Sequence, residues 1–510
     1  MSVGAAPLPA AAGPGARTPL EDVPPAELES RCRAALESGA RMQFVYAWYP
    51  RDAGTPELRY VLHPARGLPP RIWRCRPGAA APPSLAPLAP LLSWYEREIT
   101  DLCAVGFSEQ PQPEPLVLLP GATAAQPLLT PGPKEALAYT PQPHALPEIS
   151  GRAPQDIQAL PFGPVRADVL ESAGFQFLYV GEAILHYHPQ LFFKHRGMEK
   201  RFEGLTPALG VVLAERVSGV GSVAHALAYS QALENAARCE VPRRARWLRV
   251  LLAELERLYN HLHFLGHLCH TTTLKVGEAQ GKYLEELAKQ INCRASGSRL
   301  LRSLIVPGGV RREPRLEGLE LLLGRLEREF RPYADMLEST TTHLDRLITT
   351  GVLDPRLAYD QGATGPVERA SGVDRDSRRD QPYGAYGELP LRVAVRSGCD
   401  AHARQQVCIE EITHSLGLIR AVADGVPAGA LRTECRATPG AEGLGWAESP
   451  RGTAYYAVHL DEGGSLARVK IKSPSFSNWR VFPYTVHDSN MMDYAINEAS
   501  FGLTVAGCAR

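Results

Sequence analysis

Residues 242–270 read PRRARWLRVLLAELERLYNHLHFLGHLCH. Apolar side chains recur here at every third or fourth position, namely at Trp247, Leu251, Leu255, Leu258, Leu262 and Leu265. This spacing places them on one face of an α-helix, and such a face is buried against a neighbouring element. A proline is well suited to the start of a helix because its missing N–H is not needed there. The stretch therefore predicts a long helix packed against other helices.

Similar apolar runs predict further helices over residues 203–238, 283–291, 316–348 and 404–422. Four or five long helices predict a bundle with a site buried in its core. Short apolar runs separated by glycines indicate a strand meander over 156–187, and alternation predicts a hairpin over 453–473. The large part of the chain, residues 155–510, is thus predicted to be a mainly α bundle with strand decorations.

The front of the chain differs in composition, because 26 of the 44 prolines lie in the first 150 residues. Residues 1–25 are rich in Gly, Ala and Pro, which predicts a disordered tail. Two predicted strands (41–49 and 58–63) and a predicted helix (91–107) define a small α+β module over residues 26–107. Residues 108–154 read as a proline-rich linker or wrap, and the bundle is assigned to residues 155–510.

Composition narrows the functional classes. The chain has 510 residues, with 55 Lys and Arg against 55 Asp and Glu, so nothing favours nucleic-acid binding. No apolar run approaches the length of a membrane span, and the N-terminus does not read as a signal peptide. No two of the ten cysteines are separated by two residues, which removes the usual zinc and iron–sulfur spacings. We therefore expect a cytoplasmic chain without a metal site of its own.

Two segments carry a family resemblance. The sequence KHRGMEK spans Lys194–Lys200, and ERVSGVGSVAHA spans Glu215–Ala226. They resemble the loop and the first metal motif of energy-converting [NiFe]-hydrogenase large subunits and of the related D subunit of complex I (NADH–quinone oxidoreductase). Later blocks of the same family are similar to residues 365–372, 379–383, 448–452 and 474–479. The resemblance covers about residues 155–510 and implies a hydrogenase-like helical bundle.

The front module has a resemblance of its own. Trp94-Tyr95-Glu96-Arg97-Glu98-Ile99-Thr100-Asp101-Leu102 is similar to a signature of the complex I C subunit. Fused C-like and D-like halves occur in this order in energy-converting hydrogenase large subunits, so the order of the two modules supports both identifications.

The nickel ligands of the resembled family are missing. Four thiolates hold nickel and iron there, because soft sulfur ligands suit these metals. The first pair falls on Ser218 and Gly221, and the second pair falls on Thr504 and Gly507. Cys508 is one position away from the second pair and lacks a partner at the required spacing. We therefore expect no NiFe centre.

The resemblance also implies the site residues. His195 corresponds to a quinone contact in the loop, whereas the tyrosine that donates to the quinone in complex I is replaced by Gly219. This glycine is expected to free space for a different ligand or for water. Glu215 corresponds to a proton-relaying glutamate, and it is expected either to serve a proton path or to form an ion pair with Arg216. His195, Glu215 and Arg216 are thus the catalytic candidates, and His195 and Gly219 are expected to line a candidate acceptor cavity.

The functional expectation is a large subunit, without a NiFe site, of a membrane-associated complex that couples electron transfer to ion translocation. The resemblance implies an iron–sulfur-bearing small subunit, membrane antiporter-like and anchor subunits, and quinone or another electron acceptor. Any NADH would bind elsewhere, because no GxGxxG pattern is present. The chain itself would be peripheral, on the inner face of the cell membrane. Two alternatives remain open, a non-catalytic scaffold subunit and an unrelated metalloenzyme that uses the stripe His263, His267 and His270.

Overall fold

The computed structural model describes most of the chain, namely residues 18–50, 55–119, 121–123, 127–130, 138–140, 142, 147–151, 153–165, 171–487 and 489–510. Residues 1–17 of the predicted disordered tail lie outside these ranges. Several residues of the predicted linker over 108–154 lie outside them too.

The front module is a four-stranded sheet covered by two helices. Its strands stand in the order β1-β4-β3-β2, with β1 parallel to β4 and the other pairs antiparallel. The elements are β1 (Leu20–Asp22), α1 (Leu28–Glu37), β2 (Arg41–Trp48), β3 (Glu57–His63), β4 (Arg71–Cys75) and α2 (Ser93–Cys103). Residues 20–22 are therefore not part of a disordered tail, because they pair with residues 72–74 of β4.

The remaining strands form small antiparallel sheets. The predicted meander is present as a three-stranded sheet, and the predicted hairpin is the second half of another. These strands are β5 (Ala122–Thr123), β6 (Ala138–Tyr139), β7 (Gln158–Phe162), β8 (Gly174–Val180), β9 (Ala183–Gln190), β10 (Ile305–Val306), β11 (Gly309–Val310), β12 (Glu442–Ser449), β13 (Gly452–Leu460) and β14 (Leu466–Lys472).

The helices of the large part are α3 (Met198–Arg201), α4 (Pro207–Ala214), α5 (Ser222–Ala237), α6 (Arg243–Thr271), α7 (Lys275–Ser296), α8 (Leu319–Ser339), α9 (Thr341–Leu347), α10 (Pro355–Asp360), α11 (Pro366–Ala370), α12 (Ser377–Asp380), α13 (Ala401–Gly425), α14 (Pro474–Val481), α15 (Tyr494–Phe501) and α16 (Val505–Ala509). The long helix α6 is buried over most of its length and packs against α7 and α13. The predicted mainly α bundle with strand decorations is confirmed.

Two predicted helices are each divided. The stretch 203–238 forms α4 and α5, which are separated by a loop that contains Gly219 and Gly221, and glycine is a poor helix former. The stretch 316–348 forms α8 and α9. Thr340 between them has an extended backbone, which ends α8, and both its amide (3.0 Å) and its hydroxyl (2.7 Å) donate to the Met336 carbonyl oxygen.

The two modules share one hydrophobic core. The ring of Tyr95 on α2 lies 4.8 Å from that of Phe476 on α14, and Phe44 on β2 lies 5.7 Å from Tyr455 on β13. All four side chains are almost fully buried. The front module is therefore packed against the bundle, while the exact domain boundaries stay predictions.

Close packing of α5 on β12 requires glycine in the strand. A Cβ added at Gly445 would overlap the Ala228 carbonyl oxygen and the Ala232 amide nitrogen of α5. We expect Gly445→Ala to lower the free energy of unfolding by about 1–3 kcal/mol, because the helix backbone must move away. Urea unfolding measures this loss.

Gly417 on α13 is the matched control. A Cβ added there meets no atom within 4 Å, and the residue lies inside a helix. Gly417→Ala should therefore stabilise the chain by about 0.5–1 kcal/mol. Equal responses of the two variants would contradict the packing argument.

Among the described residues, the helices include none whose length and apolar character would suit it to cross a membrane.

Candidate functional site

The loop that contains His195 is tied to two other segments of the chain. His195 Nδ1 donates to the Ala509 carbonyl oxygen at 2.6 Å, and Arg196 Nη2 donates to the carbonyl oxygens of Val217 (2.5 Å) and Ala506 (2.9 Å). Gly197 adopts the left-handed conformation, with φ at 60°, which allows the tight turn into α3. The loop therefore joins the segment before α5 to α16.

The four positions that correspond to the nickel ligands meet in space. Ser218, Gly221 and Gly507 line one cavity of about 10 Å³, which is close to the smallest space that holds a water molecule. Thr504 lies behind the wall, with its hydroxyl 3.0 Å from that of Ser475, which also lines the cavity. The structure thus places both predicted ligand pairs at one site, although they come from the two ends of the bundle sequence.

Several polar residues contribute to the other walls of this cavity. They include His225, Ser473, Ser475 and Arg451. His225 Nδ1 is hydrogen-bonded to Tyr456 Oη at 2.8 Å, and burial lowers the pKa of this histidine to about 4, so its ring is neutral. Arg451 donates to the Gly502 carbonyl oxygen and to Asn260 Oδ1, each at 2.6 Å. The residues around the cavity thus carry hydroxyl groups, a neutral imidazole and a guanidinium cation, although most of the surface that faces the cavity is apolar.

These residues do not fit a nickel–iron centre. No thiolate occupies any of the four positions, and the Thr504 hydroxyl caps α16 by accepting from the Gly507 amide. Cys508 is fully buried, and burial raises the pKa of its thiol, which opposes formation of the thiolate. The cavity as described is also far too small for a quinone ring.

Gly219 is exposed and does not line this cavity. The guanidinium of Arg302 lies beside it, because its Nη2 would lie 3.4 Å from a Cβ built on Gly219. Arg302 Nε is held by the Ser222 hydroxyl at 3.3 Å. The expectation that Gly219 borders an acceptor cavity therefore stays a prediction.

Glu215 and Arg216 are neighbours with different surroundings. Glu215 is buried, and its Oε1 accepts from the Ser303 amide at 2.6 Å. Arg216 is about half exposed and lies 3.5 Å from the other carboxylate oxygen. Burial raises the pKa of Glu215, which suits a carboxyl group that gains and loses protons.

One buried carboxyl group near the cavity was missed by the sequence reasoning. Glu256 on α6 accepts from the amides of Val223 (2.7 Å) and Ala224 (3.0 Å) at the start of α5. Burial raises its pKa to about 7. The only available signal was a glutamate within the buried part of a helix, and the apolar spacing alone does not distinguish it from exposed glutamates.

A buried ionic cluster, which we call the junction cluster, connects the front module to the site. Glu98 on α2 lies 2.5 Å from Lys470 on β14 and also pairs with Arg510. Glu199, next to the His195 loop, contacts Arg468 at 2.7 Å and Lys470 at 3.1 Å. Burial would raise the pKa of Glu199, but the surrounding cations hold it well below its ordinary value.

A second buried ionic cluster, the central cluster, lies in the bundle. Its charged members are Glu254, Arg257, Arg369, Asp376, Arg378, Glu411 and Glu448. His261 joins it through a 2.7 Å contact between its Nε2 and Glu411 Oε2. Four carboxyl groups thus face three guanidinium groups, all of them almost fully buried.

The histidine stripe forms on the surface of α6 as predicted. The rings of His263, His267 and His270 are stacked, with centroids 6.1 Å apart in each step. His263 lies 3.0 Å from Glu285, and His270 lies 3.0 Å from Glu278. In the ranges that the structure covers, no group of three or more His, Cys, Asp or Glu side chains is arranged to hold a metal ion.

Comparisons with known proteins agree with this architecture. The family model for the 49 kDa subunit of respiratory-chain NADH dehydrogenase matches residues 284–440 and 432–510, and that for nickel-dependent hydrogenases matches residues 196–299. The model for the 30 kDa subunit of respiratory-chain NADH dehydrogenase matches residues 22–134. The fold and the site thus define a hydrogenase-type large subunit fused to a complex I front module.

Individual relatives cover most of the chain. It is 32% identical to formate hydrogenlyase subunit 5 of Escherichia coli over 425 residues, which are 81% of this chain and 74% of the relative. It is 30% identical to the fused C/D subunit of NADH-quinone oxidoreductase from Gluconacetobacter diazotrophicus over 461 residues, which cover 79% of this chain and 74% of the relative. The chain therefore belongs to the family of large subunits shared by energy-converting hydrogenase-related complexes and complex I, as the motifs predicted. The alternative of an unrelated metalloenzyme is excluded by this membership.

A solved structure is similar as well. A chain of the membrane-bound sulfane sulfur reductase, an archaeal respiratory membrane complex, superposes with a TM-score of 0.66 at 25% identity. The match covers 70% of this chain and all of that chain. The predicted fold class is confirmed by this likeness.

Proposed function

We propose that this chain is the large subunit of a membrane-associated oxidoreductase complex whose central cavity works without a nickel–iron centre. The observation that carries the proposal is the meeting of Ser218, Gly221, Thr504 and Gly507 at one small cavity. The scaffold of the family is kept there, whereas the ligands that would define the metal are replaced.

The proposed partners follow from the family and from the surface near the site. An iron–sulfur-bearing small subunit would deliver electrons at the His195 loop, and membrane antiporter-like and anchor subunits would complete the complex. Phe193 beside the loop is exposed, and so are Leu209 and Val212 on α4, whose end is linked to the loop through Arg216. Exposed apolar side chains at such a position favour a protein partner. The chain would then lie on the inner face of the cell membrane through its partners.

The chemistry of the cavity favours an acceptor that becomes negative on reduction. The Arg451 guanidinium stabilises negative charge nearby, and Glu215 and Glu256 have raised pKa values that suit proton transfer. Quinone remains the first acceptor to test, although its ring would have to bind at the mouth of the cavity. Polysulfide is the second, because the solved relative is named a sulfane sulfur reductase.

A second candidate function is a non-catalytic scaffold. It is favoured by the loss of all four ligands together with a cavity of about 10 Å³. In that case the chain would hold the small subunit and the membrane subunits together without touching the acceptor.

We expect the complex purified through this chain to contain iron but no stoichiometric nickel. Hydroxyl groups and glycines do not replace bridging thiolates, so nickel has no ligands at the site, whereas iron would come from the partner's clusters. Elemental analysis of the complex, isolated from membranes of the native host by a tag on this chain, measures both metals. About one nickel per chain would contradict the proposal.

The same preparation tests the assembly. Mass spectrometry of the co-purifying proteins should identify an iron–sulfur subunit and membrane subunits. A tagged chain that elutes alone, from gently solubilised membranes, would count against both the electron-transfer function and the scaffold function.

A further inference from the structure

A second polar cavity, of about 20 Å³, lies between the front module and the bundle. Its walls come from β2 and α2 on one side and from β14 and α14 on the other. None of the residues assigned to the electron-transfer site lines it. We call it the interface cavity.

The interface cavity is strongly cationic. Arg41, Arg375, Lys472 and Arg480 line it, and the described lining residues include no aspartate or glutamate. Glu368 neutralises part of this charge from outside the lining, at 2.7 Å from Arg41 and 3.0 Å from Arg375. One directly paired carboxylate thus faces four cations, and Glu448 acts on Lys472 from a greater distance.

Two of these cations have no carboxylate of their own. Lys472 bonds to Gln43 Oε1 at 3.1 Å, and Arg480 donates to the carbonyl oxygens of Gln361 and Pro90. No carboxylate in the part of the chain that the structure describes lies within 4.0 Å of either cation. Both residues are more than nine-tenths buried, with exposures of 6% and 8%. Buried cations without counter-charges are costly, so a negative ligand would stabilise this arrangement.

Buried donor groups also belong to the walls of the interface cavity. Arg480 Nε has no hydrogen-bond partner within the described ranges. Tyr95 Oη is buried too, and it interacts with the hydroxyl of Ser477 in the same wall. Tyr95 keeps its proton, because burial raises its pKa, and it is therefore a donor. Gln361 Oε1 is also unpartnered, and rotation of this amide would turn a further donor toward the cavity.

We propose that the interface cavity binds a monatomic anion, of which chloride is the abundant representative, between Lys472, Arg480 and Tyr95. The volume exceeds the minimum for one water molecule but does not admit a sulfate or phosphate. The bound anion would offset the positive charge between the two modules. The anion site lies outside the electron-transfer site.

Anion binding should be linked to the charge of Lys472. The charged and titratable groups around this lysine are Arg41 on β2, Glu368 on α11, Glu448 on β12 and, with its ring 5.1 Å away, Tyr455 on β13. Burial lowers the pKa of Lys472 to about 7. An anion binds the protonated lysine, so its affinity should fall as the pH rises above about 7.

The test is a chloride titration of the full chain, at constant ionic strength with gluconate as the replacing anion. At pH 6.5 and a chloride concentration about 100 times Kd, the melting temperature should rise by about 2–3 °C and then saturate. Lys472→Met should abolish this rise, whereas Lys275→Met, at an exposed lysine on α7, should keep it. Crystals soaked in bromide should show an anomalous peak between Lys472 and Arg480.

Three outcomes would overturn the proposal. The first is an equal chloride response of wild type and Lys472→Met, and the second is the absence of any response at pH 6.5. The third is a bromide-free cavity that contains ordered water only. The cost of burying the Lys472 charge could instead be removed by loss of its proton alone. In that case the free energy of unfolding of wild type should rise relative to that of Lys472→Met between pH 7 and about 10, because the unfolded state then binds more protons than the folded state.

Discussion

Arg369→Ala should lower the free energy of unfolding by about 3–5 kcal/mol, because it removes one partner from a buried ionic network. Arg369 is completely buried in the central cluster and lies 2.6 Å from Glu411, 3.1 Å from Glu448 and 3.3 Å from Asp376. Without it, four buried carboxyl groups face only Arg257 and Arg378. Urea unfolding at neutral pH measures the loss.

An exposed arginine provides the control for Arg369→Ala. The side chain of Arg356 is 90% exposed and lies 3.5 Å from Asp360 one helical turn away. Arg356→Ala should change the free energy of unfolding by less than about 0.5 kcal/mol. Losses of similar size in both variants would refute a special role of the central cluster.

The pH dependence of the loss has a definite sign. Burial would raise the pKa of Asp376, but Arg378 and Arg369 lower it to about 2, and Glu411 is likewise held well below its ordinary value. Their contribution to stability is therefore present above the unfolded-state pKa values, near 4, and is lost as the pH falls toward 2. The difference between wild type and Arg369→Ala should shrink over the same range.

A double variant shows which carboxyl group is left unpaired when Arg369 is removed. Burial and the neighbouring Asp376 raise the pKa of Glu448, so this group is the member of the cluster most easily neutralised. Adding Glu448→Gln to Arg369→Ala should recover part of the lost stability, because one unpaired charge disappears. A purely additive loss would show that the two side chains do not interact.

The long helix α6 could be predicted from sequence because its apolar spacing is local information. The break between α4 and α5 also had a local signal, since Gly219 and Gly221 interrupt the run. The central cluster had no such signal. Its members on α6, α11, α13 and β12 are far apart in the chain, and their contacts depend on how these elements pack.

The candidate site likewise has features that the sequence predicts and features that depend on how the elements pack. The family motifs placed Ser218, Gly221, Thr504 and Gly507 at one site, and the structure brings them together. The motifs could not show that Arg302 lies beside Gly219. This arginine lies between Leu301 and Ser303, both with left-handed backbones, and the conformation of that loop is not encoded in any spacing. A replaced residue therefore indicates a lost contact but does not reveal which side chains lie beside the replaced position.

His195→Ala should lower turnover of the assembled complex by about 10²–10⁴-fold if His195 transfers a proton to the acceptor. The hydrogen bond from Nδ1 to the Ala509 carbonyl oxygen fixes the tautomer, so Nε2 of the neutral ring is an acceptor. Burial lowers the pKa of His195, and the ring must therefore gain a proton before it can donate one. Turnover should accordingly rise as the pH falls below the ordinary range of histidine.

The variants must separate proton transfer from assembly. His195→Gln offers an amide donor but does not titrate, so it should recover little turnover and should lose the pH dependence. His263→Ala, on the exposed stripe of α6, should leave turnover unchanged. Turnover is followed as reduction of a quinone analogue, and then of polysulfide, by the purified complex, while size-exclusion chromatography reports assembly. An alanine variant at His195 that assembles and turns over at the wild-type rate would remove His195 from the mechanism. If no acceptor were reduced even by wild type, the scaffold function would be favoured, since a protein that only joins its partners needs no electron acceptor.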